Sequence, residues 1–180
     1  TPPCQHWLPC AATRGVGLNT GACYNHHMAD STLPRSPFAG TINFYDSPPI
    51  RSIAPEQLAR ILQAHELYVE SKRRSGKRAN LASTDLVGKS FAGMKLWRIR
   101  LQHADLTGAD FTGADLRRAI LIGATIQRGR LAAADLTRGR LSGINLTGAE
   151  CEGVCMAEAD IEFAIMANSN FRNANFRDAE

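Results

Sequence analysis

The sequence has no run of apolar residues near the roughly 20 that a bilayer crossing requires, so no transmembrane segment is expected. It also lacks a secretory leader, because the opening "TPPCQHWLPCAATRGVG" has no basic start followed by an apolar core. The expected compartment is therefore the cytoplasm, where its five cysteines stay reduced. Charge of one sign is scarce as well: 21 Lys and Arg face 17 Asp and Glu. The small excess is confined to the first 78 residues, with nine basic and five acidic side chains, while the remainder carries 12 of each. Five of the basic residues form one run, Lys72, Arg73, Arg74, Lys77 and Arg78. The chain starts on Thr1, not on methionine, and its pattern is still running at "NFRDAE". Residues 1–27 thus read as a disordered or non-native extension, with Met28 as the natural start, and the repeat reads as truncated at its C-terminus.

What the sequence does have is a count of five. Residues 104–119, "ADLTGADFTGADLRRA", repeat one phrase three times. An α-helix repeats near 3.6 and a strand every two, so five fits neither. Steps of five from Leu106, Phe111 and Leu116 reach Leu81, Leu86, Phe91, Leu96 and Leu101 on one side. On the other they reach Leu121, Ile126, Leu131, Leu136, Leu141, Leu146, Cys151, Met156, Ile161, Met166, Phe171 and Phe176. All twenty centres are apolar. The residue two before a centre is usually small, as at Ala104, Ala109, Ala114 and Ala119. Residues two apart in an extended segment share a side, so the centre and its small partner are expected to face inward. The slot between them, holding Asp85, Asp105, Asp110, Asp115, Asp135 and Asn145, faces out. Thr-Gly, Ser-Gly or Arg-Arg then supplies a bend. Short sides joined by corners wind into an all-β solenoid with a narrow interior, its coils bonded at about 4.8 Å.

This Ala-Asp-Leu-Thr-Gly pattern over 79–180 resembles the pentapeptide repeat family. The resemblance implies a right-handed quadrilateral β-helix with four repeats per coil, hence about five coils stacked over roughly 24 Å. Lys89, Met94, Ile99, Ile144 and Val154 depart from it, each being large where the pattern is small.

Ahead of the repeats, "APEQLARILQAHELYVES" predicts a helix. Pro55 suits its first position, and Leu58, Ile61, Leu62, His65, Tyr68 and Val69 fall on one face. An uncapped solenoid exposes its interior and its strand edge, so residues 54–78 are expected to form an N-terminal α-helical cap with a basic turn. Openings of the form "ILQAHELYVESKRRSGKRANL" occur in bacterial pentapeptide repeat proteins. Residues 28–53, with Pro34, Pro37, Pro48 and Pro49, read as a linker or as an irregular arm, for which Phe38, Phe44 and Tyr45 are the residues available to pack on the solenoid.

Little in the chain suggests catalysis. Cys4, His6, Cys10, Cys23, His26 and His27 are zinc-type ligands, but their spacing matches no standard site. No metal or cofactor is therefore expected. Cys151 falls at a centre and should be buried. Cys155 points outward with no histidine near it in the repeats. His65 belongs under the helix and His103 at a corner. A filled solenoid offers no pocket for a base and a nucleophile, and the aspartates follow the repeat as turn residues. The chain is read as a non-enzyme.

The outer faces carry more information. Residues twenty apart should stack, placing Arg98, Arg118 and Arg138 in one column flanked by Arg100, Arg117 and Arg140. The next coil puts Glu158 and Asp160 at those positions. Two readings stay open: a ladder of surface ion pairs worth little each, or a basic docking stripe for an acidic partner. Trp97, Ile120, Ile122, Phe163 and Ile165 are expected to face outward, where grouped apolar residues mark contacts such as a homodimer or the cap. The function expected is a non-catalytic scaffold or protein-interaction module whose protein partner the sequence does not name. The alternative is a DNA-mimic-like modulator of DNA gyrase or another DNA-binding protein, a role the resemblance raises. The neutral charge of the repeats and their arginine column weigh against it. Nucleic acid is disfavoured, since no aromatic–basic platform accompanies "SKRRSGKR", and no membrane partner is expected.

Overall fold

The computed structural model describes residues 49–180. The cysteine–histidine group, the extension 1–27 and the arm with Phe38, Phe44 and Tyr45 lie outside the described residues. In the repeats, each five-residue unit forms one short side, and each side is tied to the next coil by a single parallel bridge. Asn80 pairs with Arg100, Arg100 with Ile120 and Ile120 with Arg140, a step of 20 residues that persists to Cys155 and Asn175. Two hydrogen bonds make each rung. The Leu101 N–H donates to the Ile120 carbonyl at 2.8 Å, and the Ile120 N–H donates to that of Ile99 at 2.9 Å. Such bonds satisfy a backbone that would otherwise be buried unpaired.

Corners follow from the last two residues of each unit. The Ala109 N–H donates to the Leu106 carbonyl at 2.9 Å, and Gly108 between them has φ of 68°. A turn of this kind needs a left-handed third residue, which glycine supplies without a steric cost. The Asp and Thr of the pattern then clasp one another. The Thr107 N–H and hydroxyl donate to Asp105 Oδ1 at 3.0 and 2.7 Å. Asp110 with Thr112, Asp135 with Thr137 and Asn145 with Thr147 do the same.

Inside, every centre from Leu81 to Met156 is buried. Phe91 and Phe111 stack with ring centroids 4.9 Å apart. Ile99, Ile144 and Val154 occupy the small slot and still point in. Lys89 and Met94 depart from the inward rule and are exposed. Their coil has a second coil on only one side, and Met94 instead borders a cleft under the helix with Leu62, Gln63 and Glu66. The last coil departs too. Ile161, Met166 and Phe171 are only partly buried and Phe176 is exposed, because among the described residues nothing stacks on them.

Helix α1 spans Pro55–Glu70. Its Leu58 and His65 are buried, and Ile61 and Leu62 pack on the core cluster of the repeats. Lys95 pairs with Glu70 at 2.9 Å. The basic turn folds back on α1: the Arg73 N–H donates to the Tyr68 carbonyl and the Lys77 N–H to that of Ala64, at 2.8 and 2.9 Å. Arg51 adds a further bridge, to Thr84, beneath the first coil. Among the described residues no helix is long and apolar enough to cross a membrane.

His65 joins α1 to the repeats. Its Nδ1 accepts from the Ala79 N–H at 3.1 Å, while its buried Nε2 has no hydrogen-bond partner among the described residues. Burial holds the imidazole below its ordinary value, opposed by the backbone near Leu96 and assisted by Arg78. The unfolded chain therefore takes up the proton first, near pH 6.5. Stability should be full above about pH 6.5 and fall as pH drops from there toward the depressed folded value. Thermal melts of the native chain should show this slope. His65→Gln keeps an acceptor for Ala79 and should flatten it; an unchanged slope would assign it to other groups.

Candidate functional site

The corner that carries residues 78, 98, 118, 138, 158 and 178 differs from the other three. Elsewhere glycine fills several of the left-handed positions, but here Arg98, Arg118 and Arg138 adopt φ of 63°, 57° and 58°. With Arg78 they line an open cleft of about 370 Å³, joined by Arg140 and by Ile120 from the adjoining column. The bridges Arg100 to Ile120 and Ile120 to Arg140 fix that column's order. Ile120 is thus half-buried between arginines.

Charge pairing divides the arginines. Arg138 donates to Glu158 at 2.7 Å, a bond that holds the Glu158 carboxyl below its usual range and raises Arg138. Arg117 belongs to a different cleft, of about 340 Å³, with Val69, Lys72, Arg73, Trp97 and Asp115. Its Nη2 lies 2.7 Å from Asp115 and its Nε 3.7 Å from Asp135. Burial raises the Asp115 carboxyl, but the Arg117 bonds outweigh it and hold the group below its ordinary value. Arg78, Arg98, Arg100, Arg118 and Arg140 have no carboxylate within 4.0 Å among the described residues. One Nη of Arg78 is buried with no acceptor among the described residues. Burial, then Arg100 and Arg98, press its guanidinium below the ordinary value.

The outward apolar group is only partly as expected. Trp97 is half-buried, with the Arg98 guanidinium 5.2 Å from its ring centroid. Ile122 is half-buried as well, whereas Phe163 and Ile165 are 85% and 52% exposed. Arg78 escaped the sequence-level column although it stands twenty residues before Arg98. Counting one coil back would have found it.

Among the described residues no catalytic constellation is assembled at this corner. The aspartates spend their oxygens on their own turns, and the Thr112 hydroxyl and N–H hold the Asp110 carboxyl below its ordinary value. Burial pushes the Cys151 thiol up to about 12. Cys155 sits half-buried near the Thr137 hydroxyl at 3.3 Å. Among the described residues no three His, Cys, Asp or Glu side chains are grouped to hold a metal.

The family model of Pentapeptide repeats matches residues 99–138, 130–160 and 155–180, in eight copies. Residues 99–180 belong to the pentapeptide repeat family. Pentapeptide repeats form right-handed quadrilateral β-helices, which accords with the 20-residue bridge step. The repeats are generally structural or interaction modules without enzymatic activity. Several solved pentapeptide repeat proteins are similar to this chain. One is Rfr23 from the cyanobacterium Cyanothece 51142, at 19% identity and a TM-score of 0.42, over 65% of this chain and 97% of that one. A protein of the Arabidopsis thaliana thylakoid lumen is 32% identical with a TM-score of 0.32, over 53% and 63% of the two chains. QnrB1, a plasmid-mediated fluoroquinolone resistance protein, is 17% identical with a TM-score of 0.31, over 61% and 69%. No curated protein matches the chain.

Proposed function

We propose that this pentapeptide repeat protein is a non-catalytic interaction module that docks an acidic protein partner on its arginine corner. In this reading residues 54–78 form the cap and 79–180 the solenoid of about five coils. The supporting observation is the surplus of arginines: Arg78, Arg98, Arg118 and Arg140 share one cleft, and none has a carboxylate within 4.0 Å among the described residues. Exposed like charges this close repel one another, and an acidic surface relieves that repulsion. The DNA-mimic alternative is not the reading taken, because it needs an acidic surface where this corner is basic.

A synthetic Asp/Glu-rich peptide tests the reading. The native chain should bind it with an affinity that falls as salt rises, since screening acts over about 10 Å at 0.1 M. The Arg98/Arg118/Arg138→Ala variant should bind about tenfold or more weakly at low salt. Equal affinity removes this face from consideration.

A further inference from the structure

We propose that the group recognised at the arginine corner is a phosphate monoester, so that the docked partner segment is a phosphorylated one. The inference rests on the acidic-partner reading above and narrows it.

The carboxylates already at the corner show how far carboxylate chemistry reaches. Glu158 takes one guanidinium, that of Arg138, at 2.7 Å. Beyond it the cleft still presents Arg78, Arg98, Arg118 and Arg140. Successive rungs are about 4.8 Å apart. A phosphate monoester carries a charge of about −1.5 to −2 and three strong acceptor oxygens. One such group can accept from guanidinium groups on two neighbouring rungs, each of which offers a planar fork of donors. A carboxylate carries only one charge, so it neutralises one of the two guanidinium groups and leaves the other's charge unmatched.

Length argues for a discrete anion. From Arg78 to Arg138 the column runs three steps, about 14 Å. The next two rungs of the same column are Glu158 and Asp178. A continuous phosphodiester chain following the column would meet those carboxylates. Arg98 is also braced from below by Trp97, at 5.2 Å, which orients its fork.

Calorimetry at about 0.15 M salt tests this with the full chain and three Gly-Ser peptides, carrying one phosphoserine, one Glu or neither. The phosphoserine peptide should bind about tenfold or more tightly than the Glu peptide, and inorganic phosphate should compete only weakly. The Arg98→Gln/Arg118→Gln variant should lose that binding by about tenfold or more, whereas Arg128→Gln on another corner should not change it. Should the double glutamine variant fail to fold, Arg98→Lys/Arg118→Lys keeps the charge and removes the forks; the preference for phosphoserine over Glu should then collapse. Equal binding of the Glu and phosphoserine peptides, both lost in the double variant, overturns the phosphate assignment and leaves the acidic-partner reading standing. Absence of binding by all three peptides and by the Asp/Glu-rich peptide overturns both. Inorganic phosphate as tight as the phosphopeptide overturns the docking of a segment, and a duplex oligonucleotide binding tighter still overturns the preference for a discrete anion.

Discussion

Phe111→Ala should lower the stability of the repeat domain by about 3–5 kcal/mol. Phe111 is fully buried and stacks on Phe91 at 4.9 Å, so removing its ring empties the middle of the solenoid. The cost belongs at the upper end for large-to-small changes because the walls have little freedom to close. The Phe111 N–H donates to the Arg130 carbonyl at 2.7 Å, and the Phe91 N–H donates to that of Asp110 at 2.7 Å. Collapse of the cavity would break those rungs. Contacts in a solenoid run only between neighbours, so the damage should also weaken the coupling between the coils on either side. Urea unfolding followed by circular dichroism measures it. Phe171→Ala, in the partly buried last coil, should cost distinctly less, about 1–2 kcal/mol. Equal losses at the two sites would contradict a core that is closed in its middle and open at its last coil.

Gly76→Ala is the second large effect, expected at about 2–4 kcal/mol from backbone strain plus overpacking. Gly76 has φ of 76°, and a Cβ there would lie 2.3 Å from the Ala64 carbonyl oxygen and 2.5 Å from the Tyr68 nitrogen. Both are backbone atoms of α1 and have no rotamer by which to retreat. The basic turn must therefore lift away, which breaks the Lys77 to Ala64 hydrogen bond and draws His65 from Ala79. Gly113→Ala is the control. It has φ of 65° but open space around it, so only the conformational cost of about 1–2 kcal/mol remains. Thermal melts of the two variants should separate clearly, with Gly76→Ala the lower.

The repeat core was legible because one arithmetic signal, apolar at every fifth residue, needs no knowledge of neighbours. The outward aspartates were legible as turn residues for a similar reason: Asp105 finds its partner, Thr107, two residues away in the same phrase. Lys89 and Met94 stood out in the sequence as large residues in the small slot, but their outward direction was not legible. Their direction depends on what covers the first coil, and that is decided by α1 and not by the repeat. The arginine corner was half legible. Its column follows from counting by twenty, but which arginines are neutralised depends on side-chain reach. Arg117 turned to Asp115 and Asp135, and Arg138 turned to Glu158. The close approach of Gly76 to α1 had no sequence signal beyond a glycine in a basic run.

The bridge step of 20 residues means that core and surface obey different clocks. Burial depends on position modulo five, whereas stacking of outer side chains depends on position modulo twenty. Deleting one whole unit between Arg118 and Arg138 would leave every later centre facing inward. The same deletion would turn everything after it by one side of the square, carrying Arg138 into the corner of Gly113. Such a chain would fold and melt much as before while its arginine groove was cut in two. Insertions and deletions in this solenoid therefore act as rotations: a single unit re-addresses a surface, and only a set of four restores it.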